Sequence, residues 1–169
     1  MKNLNTYARE CLAELNAIDI HPNAISAWKV SRAVRFWGQC SYMTRSRSYT
    51  IKISQTLLDD DAPVKALKET ILHELIHAVD GCLDHGYKWT ALVRKVNQTY
   101  GYDIRQTDSY EEKGFEKDPM DAQYKYHLTC EQCGHVYRYA RMCSTIKAVQ
   151  AHKAHCACGS RDFKIIVRP

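Results

Sequence analysis

The chain has 169 residues and a formal net charge of +5 at pH 7, which allows one ordinary domain or a domain with a small additional module. Hydrophobic residues make up 45% of the sequence, enough for a core, but no apolar run approaches the roughly 20 residues that a membrane span needs. Residues 1–17 are polar and amphipathic and lack the apolar segment of a signal peptide. We therefore expect a protein of the cytoplasm or the nucleoid with no membrane partner.

The pattern of apolar residues in the first third of the chain changes from helical to strand-like. Residues 4–17 carry apolar side chains at helical spacing and predict a first helix. Between residues 27 and 53, β-branched and aromatic residues alternate with polar ones, which predicts two or three short strands with a turn near residues 44–48. The residues that carry this alternation are Val34, Phe36, Tyr49, Ile51 and Ile53.

Two further helices have recognisable start and stop signals. The second helix is expected to begin at Pro63, which follows three aspartates that favour the positive end of the helix dipole. It should run to about Asp80 and end at Gly81. A third helix is expected over residues 88–100, followed by Gly101. Helices and short strands in this order predict a mixed α+β fold.

The second helix contains a His-Glu-x-x-His pattern formed by His73, Glu74 and His77. Residues four apart lie on one face of a helix, with Cβ atoms roughly 6 Å apart, so two imidazoles can bind one metal ion. The glutamate beside the first histidine can act as the general base in hydrolysis of an amide. The neighbouring apolar residues recur at helical spacing and predict a buried, rigid helix: Ile71, Leu72, Leu75, Ile76 and Val79.

A hydrolytic zinc site usually has three protein ligands and one open position. The nearest candidate for the third ligand is His85, because the chain can turn at Gly81 and return over the end of the helix. Asp80 and Asp84 are alternatives. Asp80 could instead accept a hydrogen bond that orients one of the imidazoles.

Several segments together match the pattern of one protein family. They are residues 73–78 (His-Glu-Leu-Ile-His-Ala), His85-Gly86, residues 35–40 (Arg-Phe-Trp-Gly-Gln-Cys) and the predicted strand and turn at residues 49–58. With these segments the chain resembles the SprT-like zinc metalloproteases. The resemblance covers roughly residues 5–105 and, more loosely, the cysteine-rich block at residues 124–169.

The resemblance implies a zincin-like α+β core in which His73, His77 and His85 bind a catalytic zinc ion and Glu74 is the catalytic base. It implies a zinc-dependent metalloendopeptidase with a protein substrate. For Spartan-type members of the family, it also implies cleavage of proteins crosslinked to DNA. Two alternatives remain: a non-proteolytic, zinc-dependent DNA-binding or transcription-associated protein, and a hydrolase of some non-peptide amide.

Five of the eight cysteines lie in the last third of the chain, and a reducing compartment favours metal binding over disulfides. Two of them are separated by two residues, as in a zinc knuckle, and SprT-like proteins often end in a zinc ribbon. We expect a structural zinc ion with four cysteine ligands: Cys130, Cys133, Cys156 and Cys158. In the alternative set His155 replaces Cys156, which restores the two-residue spacing, and Cys143 is a ligand in neither set.

Residues 20–58 contain six basic and no acidic residues, and Tyr42 and Tyr49 lie among them. Such a mixture can bind phosphates and stack on unpaired bases, so DNA, and single-stranded DNA in particular, is a predicted partner. An ordinary solvated strand face explains the same pattern equally well. The candidate contact residues, including two from the C-terminal block, are Lys29, Arg32, Arg45, Arg47, Arg138 and Arg141.

The sequence therefore predicts three regions. Residues 1–105 form the metalloprotease domain, residues 106–123 an acidic linker, and residues 124–169 a small β zinc ribbon. The expected cofactors are one catalytic and one structural zinc ion.

Overall fold

A computed structural model of the chain describes residues 1–33, 36–115 and 124–168. The chain folds into two compact units, Met1–Glu116 and Lys117–Pro169. Within the described residues there are four α-helices and two three-stranded sheets, so the mixed α+β class expected from the sequence is confirmed. None of the described helices has the length and apolar character needed to cross a bilayer.

The sheet of the first unit contains β1 (Ile25–Ser31), β2 (Gly38–Met43) and β3 (Ser48–Ser54). The strand order is β1-β3-β2, with the central β3 parallel to β1 and antiparallel to β2. The turn at residues 44–47 joins β2 to β3, where the sequence predicted a turn. In this arrangement β2 is an edge strand of the sheet.

The sheet has one apolar and one polar face, because side chains alternate along each strand. On the apolar face, Trp28, Ile51 and Cys40 occupy neighbouring positions in register and contact the core. On the polar face, Lys29 lies beside Lys52.

The helices of the first unit are α1 (Leu4–Ala17), α2 (Val64–His77) and α3 (Tyr87–Tyr100), and a short 3-10 helix covers Gln55–Leu58. Helix α2 lies at the centre of the core, since it contacts α1, α3, β2 and β3. Its apolar side chains each contribute about 1.5–3 kcal/mol when fully buried. Those with no solvent exposure are Leu67, Ile71, Leu72, Leu75 and Ile76.

Helix α2 ends at His77, earlier than the predicted end at Asp80. The N–H groups of Ala78 and Val79 each bond to the carbonyl three residues before them, which tightens the last turn and ends the helix. Gly81 then adopts a left-handed conformation with φ of 74°, which glycine tolerates without strain. The early end lets the following loop fold back towards the helix.

The other helix predictions of the first unit agree with the structure. The first helix has the predicted bounds, and Gly101 ends α3 in a left-handed conformation with φ of 70°. Phe36 was expected in a strand but precedes β2. Val34 and Arg35 lie outside the described residues, so the strand expected at Val34 stays a prediction.

The second unit consists of β4 (Tyr126–Cys130), β5 (Val136–Tyr139), α4 (Ser144–Gln150) and β6 (Phe163–Val167). Its antiparallel sheet has the order β5-β4-β6. The sequence predicted a small β module in this region but not α4. This helix has 7 residues with two buried apolar positions, which is too short a segment to show a helical period.

The predicted acidic linker at residues 106–123 is described only in part. Residues 106–115 belong to the first unit, where they contact Trp37. Residues 116–123 lie outside the described residues. The limits of the three predicted regions stay a prediction.

Candidate metal centres

Three histidines converge at the C-terminal end of α2. His73 and His77 project from the same face of α2, and His85 comes from the loop that precedes α3. The Nε2 atoms of His73 and His77 are 3.2 Å apart, and that of His85 is 3.1 Å from each of them. The structure thus brings together the three side chains expected to bind the first metal ion.

Backbone carbonyl groups determine which nitrogen of two of these rings carries the proton. Nδ1 of His73 lies 2.9 Å from the carbonyl oxygen of Arg105, and Nδ1 of His77 lies 2.7 Å from that of Cys82. A carbonyl oxygen only accepts hydrogen bonds, so each Nδ1 donates and each Nε2 of the neutral ring keeps a free lone pair. Both lone pairs therefore face the centre of the cluster.

Burial favours the uncharged form of these imidazoles. It lowers the pKa of His73 to about 3, with a further contribution from the neighbouring histidines, and it also lowers the pKa values of His77 and His85. A tetrahedral zinc ion with Zn–N distances of about 2.0–2.1 Å holds its nitrogen ligands about 3.3–3.4 Å apart. The observed separations of 3.1–3.2 Å are close to this, so the cluster fits a metal ion with three protein ligands.

Glu74 is a buried side chain that contacts strand β2. Its carboxylate accepts a hydrogen bond from the backbone N–H of Cys40. A Cβ atom at Gly38 would lie 2.5 Å from Oε1 of Glu74, so only glycine leaves room for the carboxylate at this position. Burial raises the pKa of Glu74 from 4.5 to about 8, and the bond from Cys40 acts in the opposite direction. Such a carboxyl can accept a proton near neutral pH.

The indole ring of Trp89, in the first turn of α3, lies against all three imidazoles. The distances from its centroid are 4.9 Å to His73, 5.5 Å to His77 and 4.5 Å to His85. Only 2% of Trp89 is exposed, so the ring excludes water from one side of the cluster.

The aspartates considered as alternative third ligands have other partners. Asp80 accepts a hydrogen bond of 2.7 Å from the amide of Asn23, and Asp84 accepts one of 3.1 Å from the N–H of Gly86 at the start of α3. Neither belongs to the cluster of metal-binding groups. Backbone carbonyls, and not Asp80, orient the imidazoles of His73 and His77.

The second unit contains a cluster of four cysteines. The Sγ atoms of Cys130 and Cys158 are 3.6 Å apart, as are those of Cys133 and Cys156. All four sulfur atoms lie within 4.8 Å of one another. Zinc thiolate bonds of about 2.3 Å place tetrahedral sulfur ligands about 3.8 Å apart, so the cluster fits a four-cysteine metal site.

Other residues near this cluster distinguish between the two predicted ligand sets. The hydroxyl of Tyr137 lies 3.3 Å from Sγ of Cys156, and this contact is the main cause that lowers the pKa of Cys156 to about 6. His155 and Cys143 are not part of the cluster, and Cys143 instead precedes the first residue of α4. The geometry favours the set in which Cys156 is a ligand.

The four basic residues of the first unit that were expected to contact nucleic acid do not form a single cluster. In the first unit they divide between the two ends of the sheet, because one pair lies at the end of β1 and the other in the turn between β2 and β3. The third pair is in the second unit, on β5 and just after it. The pairs are Lys29 and Arg32, Arg45 and Arg47, and Arg138 and Arg141.

The groups at the site that sequence reasoning missed belong mainly to the backbone. The carbonyls of Arg105 and Cys82 and the N–H of Cys40 have no residue signature, so no sequence signal identifies them. Gly38 is different, since a glycine inside a strand can mark a close approach of another group.

The fold and its two clusters define a mixed α+β protein with two candidate metal centres. The model of the SprT-like family matches residues 8–111, which is more than half of the chain and includes the three histidines and Glu74. The chain belongs to the SprT-like family, as its motifs predicted. Membership suggests a metalloprotease-type function. A comparison with curated proteins returned no significant match.

Proposed function

We propose that this chain is a zinc-dependent metalloendopeptidase in which His73, His77 and His85 bind the catalytic zinc ion. The observation that carries the proposal is the convergence of three Nε2 atoms to 3.1–3.2 Å on the helix that also carries Glu74. Uncharged nitrogens at this separation, two of them with lone pairs that point inwards, are stabilised by a cation between them. The four-cysteine cluster is proposed to bind a structural zinc ion.

The chemistry follows from what each group can do. A zinc ion at the three histidines would supply a Lewis acid towards water and towards a peptide carbonyl. Glu74 accepts the proton of the attacking water and later transfers it to the leaving amine. The N–H of Cys40 and the close approach of Gly38 hold the carboxylate in one position for both transfers.

Strand β2 supports a peptide rather than another amide as substrate. Among the described residues β2 is an edge strand, and an extended peptide can add to such an edge through main-chain hydrogen bonds. The same strand contacts Glu74 through Gly38 and Cys40. A peptide bound to β2 would therefore pass close to the catalytic carboxylate.

DNA is the proposed partner that brings protein substrates to the enzyme, so that DNA-bound or DNA-crosslinked proteins are the proposed targets. Support comes from the polar face of the first sheet, where Lys29 and Lys52 are neighbours and residues 20–58 contribute no negative charge. On the opposite face of the sheet, the same as that of Cys40, Tyr42 is 41% exposed and could stack on an unpaired base.

The test is digestion of an unfolded protein such as casein by the wild type and by Glu74→Gln, with and without single-stranded DNA. Glu74→Gln should retain its zinc and lose activity by roughly 10²–10⁴-fold, the usual contribution of a general base. Glu10→Gln is the control, because Glu10 is an exposed glutamate on α1. Full activity of Glu74→Gln would contradict the proposed mechanism.

Digestion, measured together with binding to single-stranded DNA, separates the peptidase from the non-proteolytic alternative. The peptidase requires cleavage by the zinc-loaded wild type, whereas the alternative requires salt-dependent DNA binding without cleavage. Absence of measurable binding to single-stranded DNA at low ionic strength would remove DNA from the proposal.

A further inference from the structure

Residues 103–115, called here the site loop, follow α3 without regular secondary structure and are attached at both ends to one side chain of α2. The N–H of Asp103 donates a hydrogen bond of 2.7 Å to Oε1 of Glu69. At the other end, Nζ of Lys113 lies 3.9 Å from Oε2 of the same carboxylate. Glu69 is four residues before His73, so it lies one helical turn away on the same side of α2.

Lys113 is a buried cation that the proposed chemistry does not use. Its side chain is 4% exposed, and Nζ lies 2.8 Å from Oδ2 of Asp108 as well as near Glu69. A buried ammonium group is costly unless it is paired, so this lysine holds its two carboxylate partners together. The other ion pairs of the site loop, from Arg105 to Asp103 and to Glu112, are more exposed and contribute less.

The site loop contacts the metal centre at His73. The carbonyl of Arg105, in the middle of the segment, accepts the Nδ1 proton of His73 at 2.9 Å. This hydrogen bond fixes both the tautomer and the orientation of the ring. The position of the Arg105 carbonyl depends on how the two ends of the site loop are held.

A second contact reaches the start of β2. The indole N–H of Trp37 donates a hydrogen bond of 3.0 Å to the carbonyl of Asp108. The Trp37 ring packs against Tyr110 and Phe115, with centroids 4.3 and 5.3 Å away. Trp37 directly precedes Gly38, the residue against which the side chain of Glu74 packs.

We propose that Lys113 is a positioning residue of the histidine centre. Its pairs with Asp108 and Glu69 hold the site loop closed, so that the Arg105 carbonyl keeps Nε2 of His73 directed at the metal ion. The inference rests on the metal-binding part of the proposed function and is independent of peptide hydrolysis.

The test measures zinc release from the full-length, zinc-loaded chain to a chromogenic chelator. Two phases are expected, and His85→Ala identifies the one that belongs to the histidine centre. Lys113→Met is compared with Lys65→Met, a matched control, because Lys65 also lies 3.9 Å from Glu69 but is 59% exposed. Lys113→Met should release zinc from the histidine centre about 10-fold faster or more, while the cysteine phase and Lys65→Met stay within about twofold of the wild type.

Hydrogen exchange of the imidazole protons gives a second readout that general destabilisation would not produce. In Lys113→Met the Nδ1 proton of His73 should exchange faster, whereas that of His77, bonded to Cys82, should not change. If Lys113→Met does not fold, Asp108→Asn weakens the same closure and should show the same selective change. Equal zinc release from Lys113→Met and Lys65→Met, or an Asp108→Asn variant identical to the wild type, would overturn the role of Lys113.

Failure of the metal centre itself has a different signature. A wild type that shows only the cysteine phase would overturn the histidine metal site and with it the role of Lys113. Loss of peptidase activity alone, with two release phases and a selective effect of Lys113→Met, would contradict the proposed function and leave the positioning role intact.

Discussion

At the scale of single residues, the proposed chemistry depends on opposite pKa shifts of two neighbouring side chains, His73 and Glu74. Burial lowers the pKa of His73 to about 3 and raises that of Glu74 to about 8. Both shifts have the same cause, since burial disfavours the charged form of each group. Around neutral pH the metal-free site is therefore close to uncharged, and it is ready to accept a cation.

The raised pKa of Glu74 predicts how the stability of the metal-free chain depends on pH. The pKa of the Glu74 carboxyl is raised from 4.5 to about 8 in the folded state. Its contribution to the free energy of unfolding is therefore fully present below pH 4.5 and is lost as pH rises through 8. Glu74→Gln does not titrate. Its free energy of unfolding should be near that of the wild type at pH 5 and higher by on the order of 3–5 kcal/mol at pH 9.

The measurement is urea unfolding in the presence of a chelator, followed by tryptophan fluorescence. All 3 tryptophans belong to the first unit, so the signal reports that unit alone. Glu10→Gln controls for the loss of a carboxylate. A difference between Glu74→Gln and the wild type that is the same at both pH values would contradict the burial of the charge.

At the scale of elements, the site lies where α2 meets the edge strand β2. Gly38 has no side chain to separate the strand from the helix, which brings the backbone of Cys40 within hydrogen-bonding distance of Glu74. An edge strand of the described sheet and the proposed catalytic carboxylate are thereby adjacent. The contact between Gly38 and Glu74 is sensitive to any added side-chain volume, because packed interiors have few voids.

Gly38→Ala should reduce activity and leave metal binding unchanged. The new Cβ would lie 2.5 Å from Oε1 and 2.6 Å from Cγ of Glu74, so the carboxylate must move. Misplacement of a catalytic group by about 1 Å can cost up to about 10²-fold in rate, and we expect a loss of about 10–100-fold in kcat/KM. Zinc content should not change, because the atoms nearest the new Cβ belong to Glu74 and not to the three proposed zinc ligands.

Gln39→Ala is the matched control for this substitution. Gln39 is the next residue of β2 and lies on the polar face, where its side chain binds Lys52. Equal activities of Gly38→Ala and Gln39→Ala would show that the approach of β2 to Glu74 is not important for catalysis.

At the scale of the whole molecule, the two units differ in how much core they bury. The first unit has an extensive apolar core around α2, whereas the buried apolar core of the second unit consists of Leu128, Ile146 and Val149 among the described residues. A core as small as that of the second unit rarely stabilises a fold by itself, and small β modules commonly depend on a structural metal ion for folding.

The wild type should therefore contain two zinc ions per chain, and each centre should lose one when its ligands are removed. His77→Ala should leave one zinc ion, and so should Cys130→Ser combined with Cys133→Ser. The double cysteine variant should also lose the dispersed NMR signals of residues 126–167, because a bound structural metal ion would supply folding free energy to this unit. Elemental analysis of freshly purified protein checks the counts, and a wild-type value near one would remove one centre.

The sequence by itself determined the parts of this protein that depend on local spacing. The four-residue separation of His73 and His77 places both on one helical face, the apolar period of α1 gives its bounds, and the paired cysteines indicate a metal site. These are properties of a few consecutive residues, so short-range geometry predicts them.

Only the tertiary structure decided how the site is completed. The carbonyl of Arg105 orients His73, the approach of β2 at Gly38 holds Glu74, and Lys113 is buried against Glu69. Each of these contacts joins residues far apart in the chain, and several use backbone groups that every residue type possesses. Apart from the glycine at position 38, local patterns do not identify such contacts, because the contacts depend on how the elements pack and not on which residues neighbour one another in sequence.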